Sequence, residues 1–391
     1  MRVEVVGLGI VTALGVGVDE NLSALRRGES GITMRPRVLQ SETQVPVGEL
    51  PMTNEELHAL LSIPLTAHLS RTALLGIAAV REAMRDAGIE GQGRVGLVSS
   101  TSVGGMDLTE HFYREFLVDG KRGRLRDVRM HDCGASTEAI VNYCGISGYA
   151  TTISTACSSA ANAIIAGVRL LRHRVVDYVV VGGCDALSAF TLSGFKSLKI
   201  LDELPSRPFD RHRAGLNLGE GAGYLVLASE GAQGRGYCGF GGGANSNDAY
   251  HQTASSAGGD GAYVAMQEAL ERAGVTPQGV SYINVHGTGT GNNDASESAA
   301  LFRIFGAALP PFSSTKEYTG HTLAAAGGVE AVLSALAVRY GILYPSLHFA
   351  EPIEEYGFVP VRKYEEGRDV RAVLSNSFGF GGNCSSLVFV R

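Results

Sequence analysis

Ile153-Ser-Thr-Ala-Cys157-Ser-Ser-Ala-Ala-Asn-Ala-Ile-Ile-Ala-Gly167 is the stretch whose reading decides the fold. The residues Thr151, Thr152 and Ile153 are β-branched and stop at small residues, and an alanine-rich helical pattern then runs on to about Leu171. A strand feeding a helix through a tight turn is the repeating joint of α/β proteins. The same joint places the Cys157 sulfur at a helix N-terminus, where the partial positive charge favours thiolate over thiol. On this segment alone, a reactive nucleophile and an ordinary buried core cysteine stand equally open.

Outward from that joint the alternation repeats. Buried-strand runs at 95–99, 178–181, 224–227 and 373–375 alternate with helical runs at 71–87, 160–171, 261–273 and 329–339. No Pro/Ser-rich linker divides the chain. A weak internal symmetry is visible. Residues 154–157 open one alanine-rich helix, and Ser314-Thr-Lys316 through His321 opens another; a strand and a Gly-rich loop follow each. Gly7-Leu-Gly9 with Gly15 lacks the GxGxxG spacing of a dinucleotide loop. Gly241-Gly-Gly-Ala-Asn-Ser-Asn reads as loop and bulge.

Composition narrows the class. The chain has 391 residues, enough for two domains or one large duplicated one. With 45% hydrophobic and 18% charged residues it reads as a soluble globular protein. A net charge of −6 argues against a nucleic-acid surface. No uninterrupted apolar run reaches about 18 residues, so no membrane span is expected. The start, Met1-Arg-Val-Glu4, alternates like a strand and is unlike a signal peptide. The six cysteines form no CxxC pair. That suits reduced thiols in a cytoplasmic protein, with no zinc site and no disulfide framework. Cys133, Cys144, Cys184, Cys238 and Cys384 read as core residues.

Two histidines and a lysine add chemistry. His286 stands where the apolar run Ser281-Tyr-Ile-Asn-Val breaks into Gly-Thr-Gly-Thr290, and His321 stands at the start of a helix that follows Lys316. Loops at the ends of rigid elements are where catalytic groups sit. Lys316 near both rings would depress their pKa values, and Glu330 in the following helix is placed to pair with it.

Thr155-Ala-Cys157-Ser-Ser, His286-Gly-Thr-Gly-Thr290, Ser314-Thr-Lys316 with Gly320-His321-Thr-Leu, and Asn376-Ser-Phe-Gly-Phe-Gly-Gly382 occur in this order. Together they make the chain resemble the 3-oxoacyl-[acyl-carrier-protein] synthases, condensing enzymes of the thiolase superfamily. The similarity runs nearly end to end and takes in Ser206-Arg-Pro-Phe-Asp210-Arg and Leu218-Gly-Glu-Gly-Ala-Gly223.

The resemblance implies an α/β duplicated thiolase fold, five layers deep (α-β-α-β-α). The halves fall at 1–235, carrying the cysteine, and 236–391, carrying the histidines, with the active site between them. It implies a decarboxylative Claisen condensation of malonyl-carrier protein with an acyl group held on Cys157, elongating fatty acyl or polyketide chains, with fatty-acid synthesis as the first reading, and no cofactor or metal. Backbone N–H groups of Cys157 and Phe378 would form the oxyanion hole, helped by the side-chain-free Gly379. Neutral His286 and His321 would donate to the enolate, with Lys316 and Glu330 as a supporting pair. Thr288 and Thr290 would hold the pantetheine arm, and Asp294 would tie down their loop. Phe378 would gate the site, with Val103 and Phe195 on the acyl pocket. The implied partners are the acyl carrier protein and a twofold mate, either identical or a ketosynthase-like homologue. A catalytic ketosynthase of an aryl-polyene or other type II polyketide pathway is the nearest alternative. A noncatalytic chain-length partner typically lacks the cysteine, and a degradative thiolase uses a second cysteine in a Cys-x-Gly pattern that Gly-Gly-Asn-Cys384 does not match.

The chain departs from the family at Gly291, Ala214 and Ala324, where Pro, Asp and Gly are usual. The helix around 67–71 also lacks most of the basic residues that dock an acidic carrier. Lys121, Arg122, Arg124, Arg126 and Lys199 remain as a docking patch. Arg124→Glu combined with Arg126→Glu is therefore expected to slow association with carrier-bound substrate and to flatten its salt dependence, measured by stopped flow. Unchanged kinetics would move docking elsewhere.

Overall fold

The computed structural model describes residues 2–90 and 93–391. Its first five main strands are β1 (Val3–Thr12), β2 (Val95–Ser100), β3 (Ala150–Ile153), β4 (Tyr178–Asp185) and β5 (Gly221–Ser229). The next five are β6 (Cys238–Asn247), β7 (Tyr282–Asn284), β8 (Phe312–Ser313), β9 (Ala372–Phe378) and β10 (Asn383–Val390). They lie side by side as β3-β2-β4-β5-β1 and β8-β7-β9-β10-β6. Each set reads third, second, fourth, fifth, first. In each, the third, second and fourth strands run parallel, and the fifth is antiparallel to both its neighbours. The repeat is a duplication written in hydrogen bonds. The two sheets are joined where Val3, Glu4 and Val5 of β1 pair with β6.

The principal helices are α1 (Arg71–Ala87), α2 (Met106–Val118), α3 (Cys133–Cys144), α4 (Ser159–Arg172), α5 (Ala189–Ser197), α6 (Asp260–Ala273), α7 (Gly291–Phe305) and α8 (Ala326–Tyr340). α1 covers the outer face of β1 and β5, and α3 packs on α1. α6 covers β6 and β10, with α7 beside it. α4 and α8 lie against one another between the sheets. This is the five-layered α-β-α-β-α thiolase arrangement. α8 is apolar on every side from Ala326 to Val338 except at Glu330 and Ser334, and every residue of that stretch is buried. The stretch Leu323–Tyr340 is long and apolar enough to cross a membrane, yet it is 89% buried inside the protein as this central helix.

Local chemistry explains the glycine-rich starts. Gly7 and Gly9 sit inside β1, where α1 approaches backbone to backbone; a Cβ on Gly9 would lie 1.9 Å from the Ala79 carbonyl oxygen. They serve helix-on-strand packing, not a phosphate. The Gly241 run is not a loop: it lies within β6, and only Gly241 is bulged, between the pairs Phe389↔Phe240 and Val388↔Gly242. All six cysteines are free. Gly9→Ala forces α1 away from β1 and should lower stability by about 1–3 kcal/mol. Urea unfolding monitored by circular dichroism checks this, with an unchanged midpoint as the contrary result.

Candidate active site

Cys157 follows β3 by one tight turn. Ala156 holds φ +53°, a left-handed conformation that non-glycine residues seldom adopt. Two bonds fix the turn: Thr155 N–H donates to Ser159 Oγ at 2.8 Å, and Ser159 Oγ–H donates to the Ala156 carbonyl at 2.5 Å. The turn leaves Cys157 on the lining of a cleft between the halves. The backbone N–H groups of Cys157 itself and of Phe380 act on its sulfur, each favouring the charged form. The thiol is nevertheless pushed up to about 11 by burial, against the pull of Lys316 and of those N–H groups. The favour towards thiolate expected from a helix terminus is therefore outweighed by desolvation.

His286 ends the run that begins with β7. The Glu297 carboxylate fixes the backbone there, accepting His286 N–H and Gly287 N–H at 2.9 Å each and Asn376 Nδ2–H at 3.0 Å. Lys316 Nζ–H donates to the His286 carbonyl at 2.6 Å, approaches His286 Nδ1 at 3.4 Å and makes a short bond to Glu330 Oε1. Burial pushes the Glu330 carboxyl up to about 7 against Lys316's pull.

The Leu323 N–H donates to His321 Nδ1 at 3.1 Å. Both rings thus have Nδ1 facing a donor, which leaves the ring proton on Nε2 in the neutral form. Both are neutral. Burial, then repulsion from Lys316, holds each far below the ordinary histidine range, and His321 adds to the effect on His286. The rings stand edge to face with centroids 5.3 Å apart.

Cys157, His286 and His321 line one cavity of about 160 Å³, together with Phe378, Gly379 and Phe380. Phe195 and Lys199 line it too, as do Thr288 and Thr290. The threonines also cap their loop: their hydroxyls are 2.9 Å apart, and Thr290 Oγ1 accepts Asn293 N–H at the start of α7. Asp294 accepts the N–H groups of Thr288, Gly289 and Phe209, as a loop tie would. Val103 is not on the cavity surface; it packs with Phe195 in the adjoining apolar cluster around Leu187, Leu192 and Leu216. Lys121, Arg122, Arg124 and Arg126 are exposed on the segment after α2 and do not line the cavity. Arg122 lies 3.9 Å from Asp119. Arg71 is buried in an ion pair with Glu220 at 2.6 Å and offers nothing to a carrier.

The Phe378 assignment needs correction. Phe378 is still part of β9, paired with Cys384 and buried beside His286 at 5.7 Å between ring centroids. Phe380, half-buried between Gly379 and Gly381, stacks on Phe195 at 5.8 Å and presents its N–H to the Cys157 sulfur. A strand residue locked in a ladder cannot swing, whereas one flanked by glycines can. A Cβ on Gly379 would lie 3.1 Å from Cys157 N, so the loop approaches the nucleophile only because that residue is glycine.

Sequence reasoning passed over Glu297 and Asn383. Asn383 Oδ1 accepts from Ser158 Oγ–H, Asn162 Nδ2–H and Asn245 Nδ2–H at 2.6–2.9 Å, pinning the Phe380 loop to the Cys157 turn. Glu297 stands eleven residues beyond His286, one helical turn past Asp294 on α7, and that spacing was its one signal. Cys157 is the one cysteine on the cavity surface; Cys384 is buried in β10 with its thiol pushed up to about 12. Among the described residues no cluster of three His, Cys, Asp or Glu is placed to hold a metal ion.

With this geometry in hand, likeness to known proteins is informative. Residues 1–232 match the family described as beta-ketoacyl synthase, N-terminal domain, and residues 239–350 match its C-terminal domain. The chain is 32% identical to 3-oxoacyl-[acyl-carrier-protein] synthase 2 of Staphylococcus aureus strain MRSA252, covering 100% of this chain and 98% of that protein. It superposes on the ishigamide ketosynthase/chain length factor with a TM-score of 0.94 at 30% identity, over 100% of this chain and 98% of that one. The ketosynthase ApeO, solved in complex with its chain length factor ApeC from Xenorhabdus doucetiae, gives 0.87 at 32% identity, again over 100% and 98%.

The neutral histidines carry a pH signature. Unfolded, the rings titrate near about pH 6.5. Folded, they stay neutral well below that, so acidification protonates the unfolded chain first, and stability falls as pH drops below the unfolded value towards the depressed folded ones. Nitrogen-15 NMR of labelled histidine should show His286 and His321 protonated on Nε2, with no titration between about pH 5 and 8. In Lys316→Met the His286 titration should move up. A ring that titrates near its ordinary value in the wild type would contradict the assignment.

Proposed function

The chain belongs to the beta-ketoacyl synthase family of condensing acyltransferases, and on that premise we propose how its own residues carry the reaction. The protein is read as a 3-oxoacyl-[acyl-carrier-protein] synthase acting in the cytoplasm, with acyl carrier protein as the bearer of both substrates. One observation carries the reading: a buried thiol shares one cavity with the Phe380 loop and with two neutral histidines whose remaining protons are on Nε2.

In the first half-reaction the Cys157 sulfur attacks the acyl-carrier thioester. A carbon–sulfur bond forms, the carrier thiol leaves with the cysteine proton, and the Cys157 and Phe380 N–H groups are placed to hold the tetrahedral oxyanion. In the second, a malonyl thioester loses carbon dioxide. The Nε2–H groups of His286 and His321 receive the thioester oxygen as it gains enolate charge. The enolate carbon then attacks the acyl carbonyl and Cys157 leaves as thiolate, giving the 3-oxoacyl-carrier product; a proton taken up from solvent restores the thiol. Imidazolium is not needed at any stage, so burial and Lys316, which together keep both rings neutral, also keep them able to cycle. Thr288 and Thr290 line the cavity where a pantetheine arm would lie; Lys199 on the cavity lining, and Lys121, Arg122, Arg124 and Arg126 on the exposed segment after α2, are the carrier-docking residues of this reading.

A second reading is favoured by the two superposed complexes, each a ketosynthase with a chain length factor. In it the chain is the catalytic partner of a polyketide-type heterodimer. The chemistry is the same; the mate and the acyl chain differ. Mass spectrometry of the acyl group trapped on Cys157 from a panel of primers separates the two.

Release of labelled carbon dioxide from malonyl-carrier protein, set beside acylation of Cys157, tests the residue roles. Cys157→Ser should abolish condensation. His286→Ala and His321→Ala should each lower decarboxylation by about 10²–10³-fold, the usual cost of a lost oxyanion-type donor, with acylation less affected. A double His→Ala protein that decarboxylates normally would refute the assignment.

A further inference from the structure

The fourth strand of each half ends at the cleft. In the second half that strand is β9, whose last residue, Phe378, runs into the Phe380 loop. In the first half it is β4, whose last residue is Asp185, fully buried and so far without a task.

The Asp185 carboxylate collects donors from two separate loops. Oδ1 accepts the Thr101 hydroxyl through a short bond, Ser102 N–H at 3.0 Å and Val103 N–H at 3.2 Å. Oδ2 accepts Ala324 N–H at 2.8 Å and Ser102 N–H at 3.1 Å. The first loop carries Val103, which packs with Phe195, Leu192 and Leu323. The second carries His321. Ala324 follows Leu323, which holds φ +53° and gives its N–H to His321 Nδ1. That left-handed conformation is unusual for a branched side chain and needs restraint from both sides. The Asp185–Ala324 bond restrains one side and the His321 bond the other.

We propose that Asp185 is a positioning residue for condensation, locking the Val103 wall and the His321 loop to each other so that acyl chain and enolate donor keep a fixed offset. This rests on the condensing reading above and adds a residue to it. An ionised carboxylate can accept from all four groups at once. Its amide isostere turns one end into a donor, which must then face a backbone N–H or the Thr101 hydroxyl, and one of the two loops is released.

The test compares wild type with Asp185→Asn and Thr101→Val. Rates are normalised to the Cys157 thiols that an alkylating probe titrates. A purely structural residue would change the amount of titratable protein and leave the ratio of half-reactions alone. For Asp185→Asn we expect decarboxylation of malonyl-carrier protein to fall about 10²-fold, the cost of a misplacement near 1 Å. Acylation by a short primer should change little, and the preference between short and long primers should shift. Thr101→Val removes one donor and leaves Ala324 held, so it should act in the same direction and more weakly; it carries the test alone if Asp185→Asn does not fold. Half-reactions that decline by one common factor, or a decarboxylation rate that does not change, overturn the inference. Wild-type protein that releases no carbon dioxide overturns the condensing reading itself, and this inference with it.

Discussion

A buried primary ammonium has three hydrogens to place, and in this protein Lys316 places them on Glu330, on the His286 carbonyl and towards His286 Nδ1. Much of the site follows from that saturation. The bond to Glu330 anchors the loop onto α8. The approach to Nδ1 sends the His286 proton to Nε2. Burial first, and then the ammonium charge, keeps both imidazoles neutral. Breaking such a buried pair by deleting one partner usually costs about 3–5 kcal/mol, so the group that tunes the histidines is also one the fold needs.

Against this, the nucleophile is arranged by opposing forces. Desolvation and the Asp185 carboxylate resist the thiolate, while Lys316 and two backbone N–H groups favour it. A thiol held in this balance is quiet until a substrate carbonyl replaces water-poor space with developing negative charge. The donors are aimed where that charge appears, and this is where preorganised dipoles have most effect.

The α/β class and the placement of Cys157, His286 and His321 at element edges were legible because strand and helix periods are local, and because small residues mark the turns between them. The Lys316–Glu330 pair was legible from spacing along one loop and helix. Other features turn on register. Which phenylalanine of Asn376-Ser-Phe-Gly-Phe meets Cys157 depends on where β9 stops, and that stop is set by its pairing with β10. The Gly241 run looked like a loop because nothing local shows that β10 will pair with it along its length. Asn383 and Asp185 act by accepting backbone or side-chain donors from residues far away in sequence, so no local pattern announces them. Thiolate favour was read from a helix end, a local feature, while the burial that reverses it is a property of the assembled halves.

The repeated strand order has a consequence for how the molecule comes apart. The connection between β5 and β6 is exposed along 230–236, and each five-strand set is complete on its own side of it. The chemistry is not: the thiol and Asp185 belong to one side, and the histidines, Lys316 and the Phe380 loop to the other. A cut in that connection would leave two fragments that each retain a whole sheet and neither of which has a working centre. Recovery of activity on mixing would then report directly on how well α4 and α8 find each other without the covalent tether.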